Sequence, residues 1–122
     1  MMLQLLKAKI QEVIVSESNS DYPGSISLPG ELLEASGIRQ FELVYVNNKT
    51  NGNRIITYAV KNNRKGFVSV NGAASKHFRK GDAIHVMAYA YVDEQEAETY
   101  SPTLVLTNEH NTVIETKPYV IP

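Results

Sequence analysis

A glycine followed by a serine in a tight polar segment is a place where a chain can react with itself. Tyr22-Pro23-Gly24-Ser25 has that form. A serine hydroxyl held against its own preceding carbonyl can attack it and turn the Gly24–Ser25 peptide into an ester. Elimination then leaves a dehydroalanine, which hydrolyses to a pyruvoyl group and ammonia. Glycine suits the position before the serine because it accepts unusual dihedrals and does not block the attack. The same residues also read as an ordinary surface turn, with Pro23 at i+1 and Gly24 at i+2 of type II. On these residues alone both readings stand.

Other reactive side chains are sparse. His77, His85 and His110 are scattered and show no metal-ligand spacing. His85 falls inside an expected strand, and its ordinary role there is structural or solvent-facing. The acidic run Asp93–Glu98 has the spacing of a solvated helix face. There is no Gly-rich phosphate loop. The chain has no cysteine, which removes disulfides, thiol catalysis and Cys-ligated zinc.

The elements that must position Ser25 are mostly short strands. Lys9–Val15 reads as a strand that ends in polar Ser16–Asp21. Ser25–Leu28 is short and alternating. Pro29 suits the first turn of a helix and Gly37 its end, with Leu32, Leu33 and Ala35 as the apolar face. Glu42–Asn47 and Arg54–Val60 flank a polar loop containing Asn51-Gly52, a hairpin signal. Phe67–Val70 is stopped by Asn71-Gly72, and Gly81-Asp82 marks another turn. Ala83–Tyr91 is apolar enough for a central strand. Asp93 with Glu96 predicts a capping box for a short helix through Tyr100, stopped by Pro102. Leu104–Thr107 and Thr112–Thr116 read as a last hairpin. Seven or eight short strands with regular turn signals, plus two short helices, predict a mainly β fold and a small barrel.

The 122 residues fit one domain, 1–122. With 43% hydrophobic and 20% charged residues, the chain has the balance of a soluble globular protein. Twelve basic and thirteen acidic residues give a net charge of −1, without a basic stripe. That argues against nucleic acid as a partner. No apolar run approaches the ~20 residues of a membrane span, and Met1–Lys9 lacks a secretory pattern. A cytoplasmic protein is expected.

Six segments, in order, carry a family resemblance over nearly the whole chain. They are Leu6-Lys7-Ala8-Lys9-Ile10, Tyr22-Pro23-Gly24-Ser25-Ile26, Leu33-Glu34-Ala35-Ser36-Gly37-Ile38, Asn51-Gly52-Asn53-Arg54 followed by Thr57-Tyr58, Val70-Asn71-Gly72-Ala73-Ala74, and Gly81-Asp82. In these the chain resembles the pyruvoyl-dependent aspartate 1-decarboxylases. The resemblance implies a double-psi β-barrel and a homotetramer. It also implies self-cleavage between Gly24 and Ser25 into a β chain, 1–24, and an α chain, 25–122. Ser25 would become the covalent pyruvoyl cofactor, with no pyridoxal phosphate and no metal. L-Aspartate would form a Schiff base with it and leave as β-alanine and CO2, supplying pantothenate and coenzyme A biosynthesis. The resemblance makes Lys9 and Arg54 basic residues around the substrate. Thr57 becomes a maturation and substrate contact, and Tyr58 the proton donor. Asn71 with the Gly72-Ala73-Ala74 backbone becomes a substrate-contacting loop. It leaves room for a maturation factor.

Elementary chemistry agrees with those roles. An arginine can grip a carboxylate with a planar fork, a lysine adds charge, and a tyrosine hydroxyl can return a proton to carbon. Two positions depart from the family. Gln11 stands where many members carry His, so a titratable group is missing and slow or incomplete cleavage is expected. Asn47 stands where some members carry an aromatic residue. Two alternatives remain. Ile26-Ser27-Leu28-Pro29-Gly30-Glu31-Leu32-Leu33 with Gly37-Ile38 also looks like the AbrB-type DNA-binding barrels, but those offer no account of Gly24-Ser25 or Asn71–Ala74. The other is an unprocessed barrel with no catalysis.

Overall fold

A computed structural model describes all residues, 1–122. Nine strands form: β1 (Met2–Ile14), β2 (Glu17–Asn19), β3 (Ser25–Pro29), β4 (Leu43–Asn48), β5 (Arg54–Asn62), β6 (Ser69–Asn71), β7 (Ala83–Asp93), β8 (Thr103–Thr107) and β9 (Val113–Pro118). Two short helices, α1 (Gly30–Ser36) and α2 (Glu94–Ala97), and one 3₁₀ turn, Ala73–His77, complete the chain. No helix is long and apolar enough to cross a membrane.

The strands lie in the order β2-β6-β3-β5-β4-β7-β1-β8-β9. Two parts of one strand path occupy distant places in that order. β1 pairs with β7, and its continuation β2 pairs with β6. The handover falls at Val15 and Ser16. Val15 still exchanges backbone bonds with the lead-in to β7, through Asp82 and Gly81, while Ser16 N already donates to Val68 O at 2.7 Å. The sheet therefore curls back on itself, in accord with the expected double-psi β-barrel. Curling hides one face of the longer strands from water. Ala8, Ile10, Val13, Val15, Ile26, Leu28, Val44, Val46, Ile84 and Val86 are buried there in one core. α1 adds Leu32 and Leu33 to it.

Local chemistry sets the ends. Gly37 closes α1 at φ 74°, its N–H bonded to Leu33 O. Pro29 sits one place earlier than the first turn, as the N-cap at the end of β3. Asp93 caps α2 by accepting from Gln95 N at 2.9 Å. Glu96 returns no bond to Asp93, so the box is half made, and the α-helix stops at Ala97 rather than at Tyr100. The type II turn over Tyr22–Ser25 is not formed. Gly24 is not at positive φ, and the hydrogen-bonded turn lies earlier, at Ser20–Asp21. Ser25 is instead the first residue of β3, because its backbone pairs with Asn71 on β6.

Candidate active site

Three strands and one loop meet around Ser25. Its side chain is buried, unlike that of a surface turn. The hydroxyl donates to Pro23 O at 3.3 Å and accepts from Asn71 Nδ2 at 3.4 Å. Asn71 is itself oriented, since its Oδ1 accepts from Ser69 Oγ at 2.7 Å. These two weak bonds hold Oγ between the Pro23 carbonyl and the Asn71 amide.

Gly72 lies against the backbone of Gly24. It sits at φ 86°, and a Cβ there would lie 2.4 Å from Gly24 Cα and 2.8 Å from Gly24 N. Only glycine lets the two backbones approach so closely. Its N–H is fixed by Asn19 O at 2.9 Å, the last residue of β2. Ala73 and Ala74 follow as the start of the 3₁₀ turn. The end of that turn is anchored by Asn48 and Asn51, both donating to His77 O at 3.0 Å.

β5 brings the next residues. It runs parallel to β3, with Ile26 opposite Ala59. Ser25 and Tyr58 are each one residue earlier, so they are neighbours on adjacent strands, roughly 5 Å apart in backbone. Tyr58 is 37% exposed and its ring lies 6.1 Å from that of Phe41. Arg54 and Tyr58 share the outer face of β5, and Thr57 is half-buried on the other. Arg54 Nε donates to Asn47 Oδ1 at 2.7 Å, and its guanidinium lies 6.0 Å from the Tyr45 ring centre. Asn47, noted in the sequence only as a departure, is thus the residue that aims Arg54. The signal was available in the hairpin register, which pairs 47 with 54.

Lys9 is not gathered with Ser25 in this way. It lies on β1, four steps from β3 in the sheet order, with Nζ 5.7 Å from the Tyr119 ring centre. It shares the outer sheet face with Met87, Tyr45 and Ile56, which follow one another across β7, β4 and β5. The chain thus places Gly24, Ser25, Asn71, Gly72 and Tyr58 together, and Lys9 and Arg54 on one face of the barrel. No group of three or more His, Asp or Glu side chains gathers as a metal site.

The structure is thus a small β-barrel with a buried serine directly after a glycine. The sequence model of one family, described as aspartate decarboxylase, matches residues 1–114. An aspartate 1-decarboxylase of Xanthomonas axonopodis pv. citri is 47% identical over 95% of this chain and 93% of its own. That of Xylella fastidiosa strain Temecula1 is 44% identical over the same shares, and that of Hydrogenovibrio crunogenus 40% over 96% and 92%. The chain belongs to the aspartate decarboxylase family.

Proposed function

We propose that this chain decarboxylates L-aspartate at the α-carboxyl, giving β-alanine and CO2, with a pyruvoyl group made from its own Ser25. One observation carries the reading beyond family membership. The Ser25 hydroxyl is buried, bonded to Asn71, and follows a glycine clamped by the backbone of Gly72.

The surroundings fit such a group. Asn71 Nδ2 is a donor aimed at the oxygen on residue 25, and no side chain intrudes from Gly24 or Gly72. In maturation Ser25 Oγ attacks the Gly24 carbonyl and the C–N bond breaks, leaving an ester through Oγ and a free amine on residue 25. Loss of the α-proton then expels the Gly24 carboxylate by breaking Cβ–Oγ, which frees residues 1–24. Water displaces the nitrogen of the resulting dehydroalanine as ammonia. The pyruvoyl group supplies a ketone for the substrate amine and an electron sink for the departing CO2. Arg54, held through Nε by Asn47, turns its terminal nitrogens to the retained carboxylate. Lys9 adds positive charge. Tyr58, beside residue 25, gives its hydroxyl proton to the carbon that lost CO2.

Several copies are needed to complete the site. Lys9 is remote from Ser25 along the sheet, and the face it shares is apolar and uncovered. Leu43 and Ile56 are more than half exposed there, with Phe41 beside them. A homotetramer that buries this face brings the Lys9–Arg54 face of one copy toward Ser25 of another.

The test has two parts. Intact mass under denaturing conditions should show residues 1–24 and 25–122 as separate pieces, the second blocked at its start. The cleaved preparation should release CO2 from L-aspartate without added pyridoxal phosphate or metal. A fully cleaved protein that releases none refutes the substrate.

A further inference from the structure

Between two regular pairs of β1 and β7, Ile10 with Val86 and Val13 with Ile84, two residues of β1 face one of β7. The pair is Gln11 and Glu12, and the single residue is His85. Such a bulge re-aims a side chain. Here it sets the Glu12 carboxylate against the His85 ring, Oε2 to Nε2 at 3.7 Å. Both atoms are buried and neither makes a hydrogen bond of good geometry. Oε2 is ion-paired with Lys49, whereas the carboxylate is the one charged group within ion-pair reach of His85 Nε2, to which an N–H there would point.

The groups around this pair are few. From the β1 side come Lys9 and Glu12. From the β4 side come Asn47, the cross-strand partner of His85, and Lys49, whose Nζ is 3.1 Å from Glu12 Oε2. Asn47 in turn holds Arg54. The cluster is therefore set into the face that carries Lys9 and Arg54. Glu12 is the one carboxylate in it, and it opposes the approach of any anion. The Lys49 ammonium, ion-paired with Oε2, offsets that charge. His85 offsets it only when protonated. Burial, chiefly, and then Lys9 push the His85 pKa below the ordinary 6.5, against the pull of Glu12.

We propose that the Glu12–His85 pair is a positioning and tuning device for substrate, with His85 protonation raising the affinity of the Lys9–Arg54 face for the two carboxylates of aspartate. The proposal rests on the reading of function given above. It requires no contact between His85 and substrate. Unit charges about 8–10 Å apart near a protein surface, once screened by physiological salt, change affinity by roughly 2–10-fold. Reciprocally, bound aspartate raises the His85 pKa.

The experiment measures KM and kcat for L-aspartate from pH 7.5 to 5.5, using fully cleaved protein. Comparison of wild type with His85→Gln cancels titration of the substrate itself. The wild-type KM should fall by about 2–10-fold relative to the variant as pH drops, with kcat ratios unchanged. Glu12→Gln should lower KM at pH 7.5 by a similar factor, and Lys49→Gln should raise it. A variant harmed only in folding would lose apparent kcat at every pH and keep its KM. KM profiles that stay parallel in wild type and His85→Gln, or a Glu12→Gln KM equal to wild type, overturn the proposal while leaving the decarboxylase reading intact. Cleaved wild type that never releases CO2 refutes that reading, and this inference falls with it.

Discussion

Arg54 spends its Nε hydrogen bond on Asn47 and keeps its terminal nitrogens for a ligand. Lysine in its place keeps the charge but loses both the anchor and the planar fork. Arg54→Lys should therefore cleave normally at Gly24–Ser25 and lose about 10–100-fold in kcat/KM, which corresponds to ~1.4–2.7 kcal/mol of transition-state stabilisation. Steady-state kinetics on a fully processed sample checks this. Unchanged kinetics would remove Arg54 from the site. Tyr58→Phe should also mature and still take up aspartate, with the loss confined to β-alanine release. Ser25→Ala should fold, since the change is small, and stay one intact inactive chain by mass. A further expectation concerns stability. His85 takes up a proton less readily folded than unfolded, so the unfolded chain binds more protons as pH falls from 6.5 toward the lowered folded value. Its contribution is fully present above pH 6.5 and is lost across that window. Denaturant midpoints measured at pH 7.5 and 5.5 should differ less in His85→Gln than in wild type. At this scale the sequence singled out Ser25, Arg54 and Tyr58 through segments that resemble the family, and the fold sets Ser25 beside Tyr58 on adjacent strands. His85, Glu12 and the role of Asn47 stayed hidden, because they depend on a bulge and a register that no single-residue pattern announces.

Gly72 does for its loop what no other residue can. Alanine there would place a Cβ 2.4 Å from Gly24 Cα at a φ of 86°, so two separate strains coincide. Gly72→Ala should push Gly24 away from its place before Ser25. The expected result is an otherwise folded barrel that remains uncut over times in which wild type is fully processed. Intact mass and circular dichroism together decide it, and normal cleavage would show that the Gly24–Gly72 contact is not needed for maturation. The alternation of apolar residues marked the long strands well. β7, expected as central, does lie between β4 and β1. β2 left no such trace. Glu17–Asn19 is polar, and it becomes a strand only because Ser69–Asn71 offers backbone partners. The turn at Tyr22–Ser25 was misread for a related reason. Local Pro-Gly preference favoured type II, but pairing of Ser25 with Asn71 drew the serine into a strand.

On the scale of the whole molecule, the exposed apolar face is the feature the barrel leaves unresolved. Ile56, Leu43 and Phe41 stand in water in a single copy. Ile56→Glu places a charge at the centre of that face, where burial without a partner is costly. If the proposed tetramer buries this face, the variant should show a lower light-scattering mass than wild type and activity reduced in proportion. A variant that stays tetrameric would place the interface elsewhere. The proposed pyruvoyl chemistry and this assembly are linked, since Lys9 stands four strands from Ser25 in the sheet order of one copy.

The shared strand path of β1 and β2 has a consequence for the cut protein. Residues 1–24 carry Ala8, Ile10, Val13 and Val15 into the common core, and they supply partners to β6, β7 and β8. After cleavage this piece would be a separate molecule that holds the barrel shut. It could not leave without opening the curl, so the nicked protein would keep its shape. Unfolding would then release two chains, and refolding would become a bimolecular event. The denaturation midpoint of the mature enzyme should rise with protein concentration, even in a variant that no longer forms tetramers, whereas uncut Ser25→Ala in the same monomeric background should not. Maturation would thus exchange a unimolecular folding reaction for a second-order one, leaving an enzyme that folds readily once and reassembles slowly when dilute.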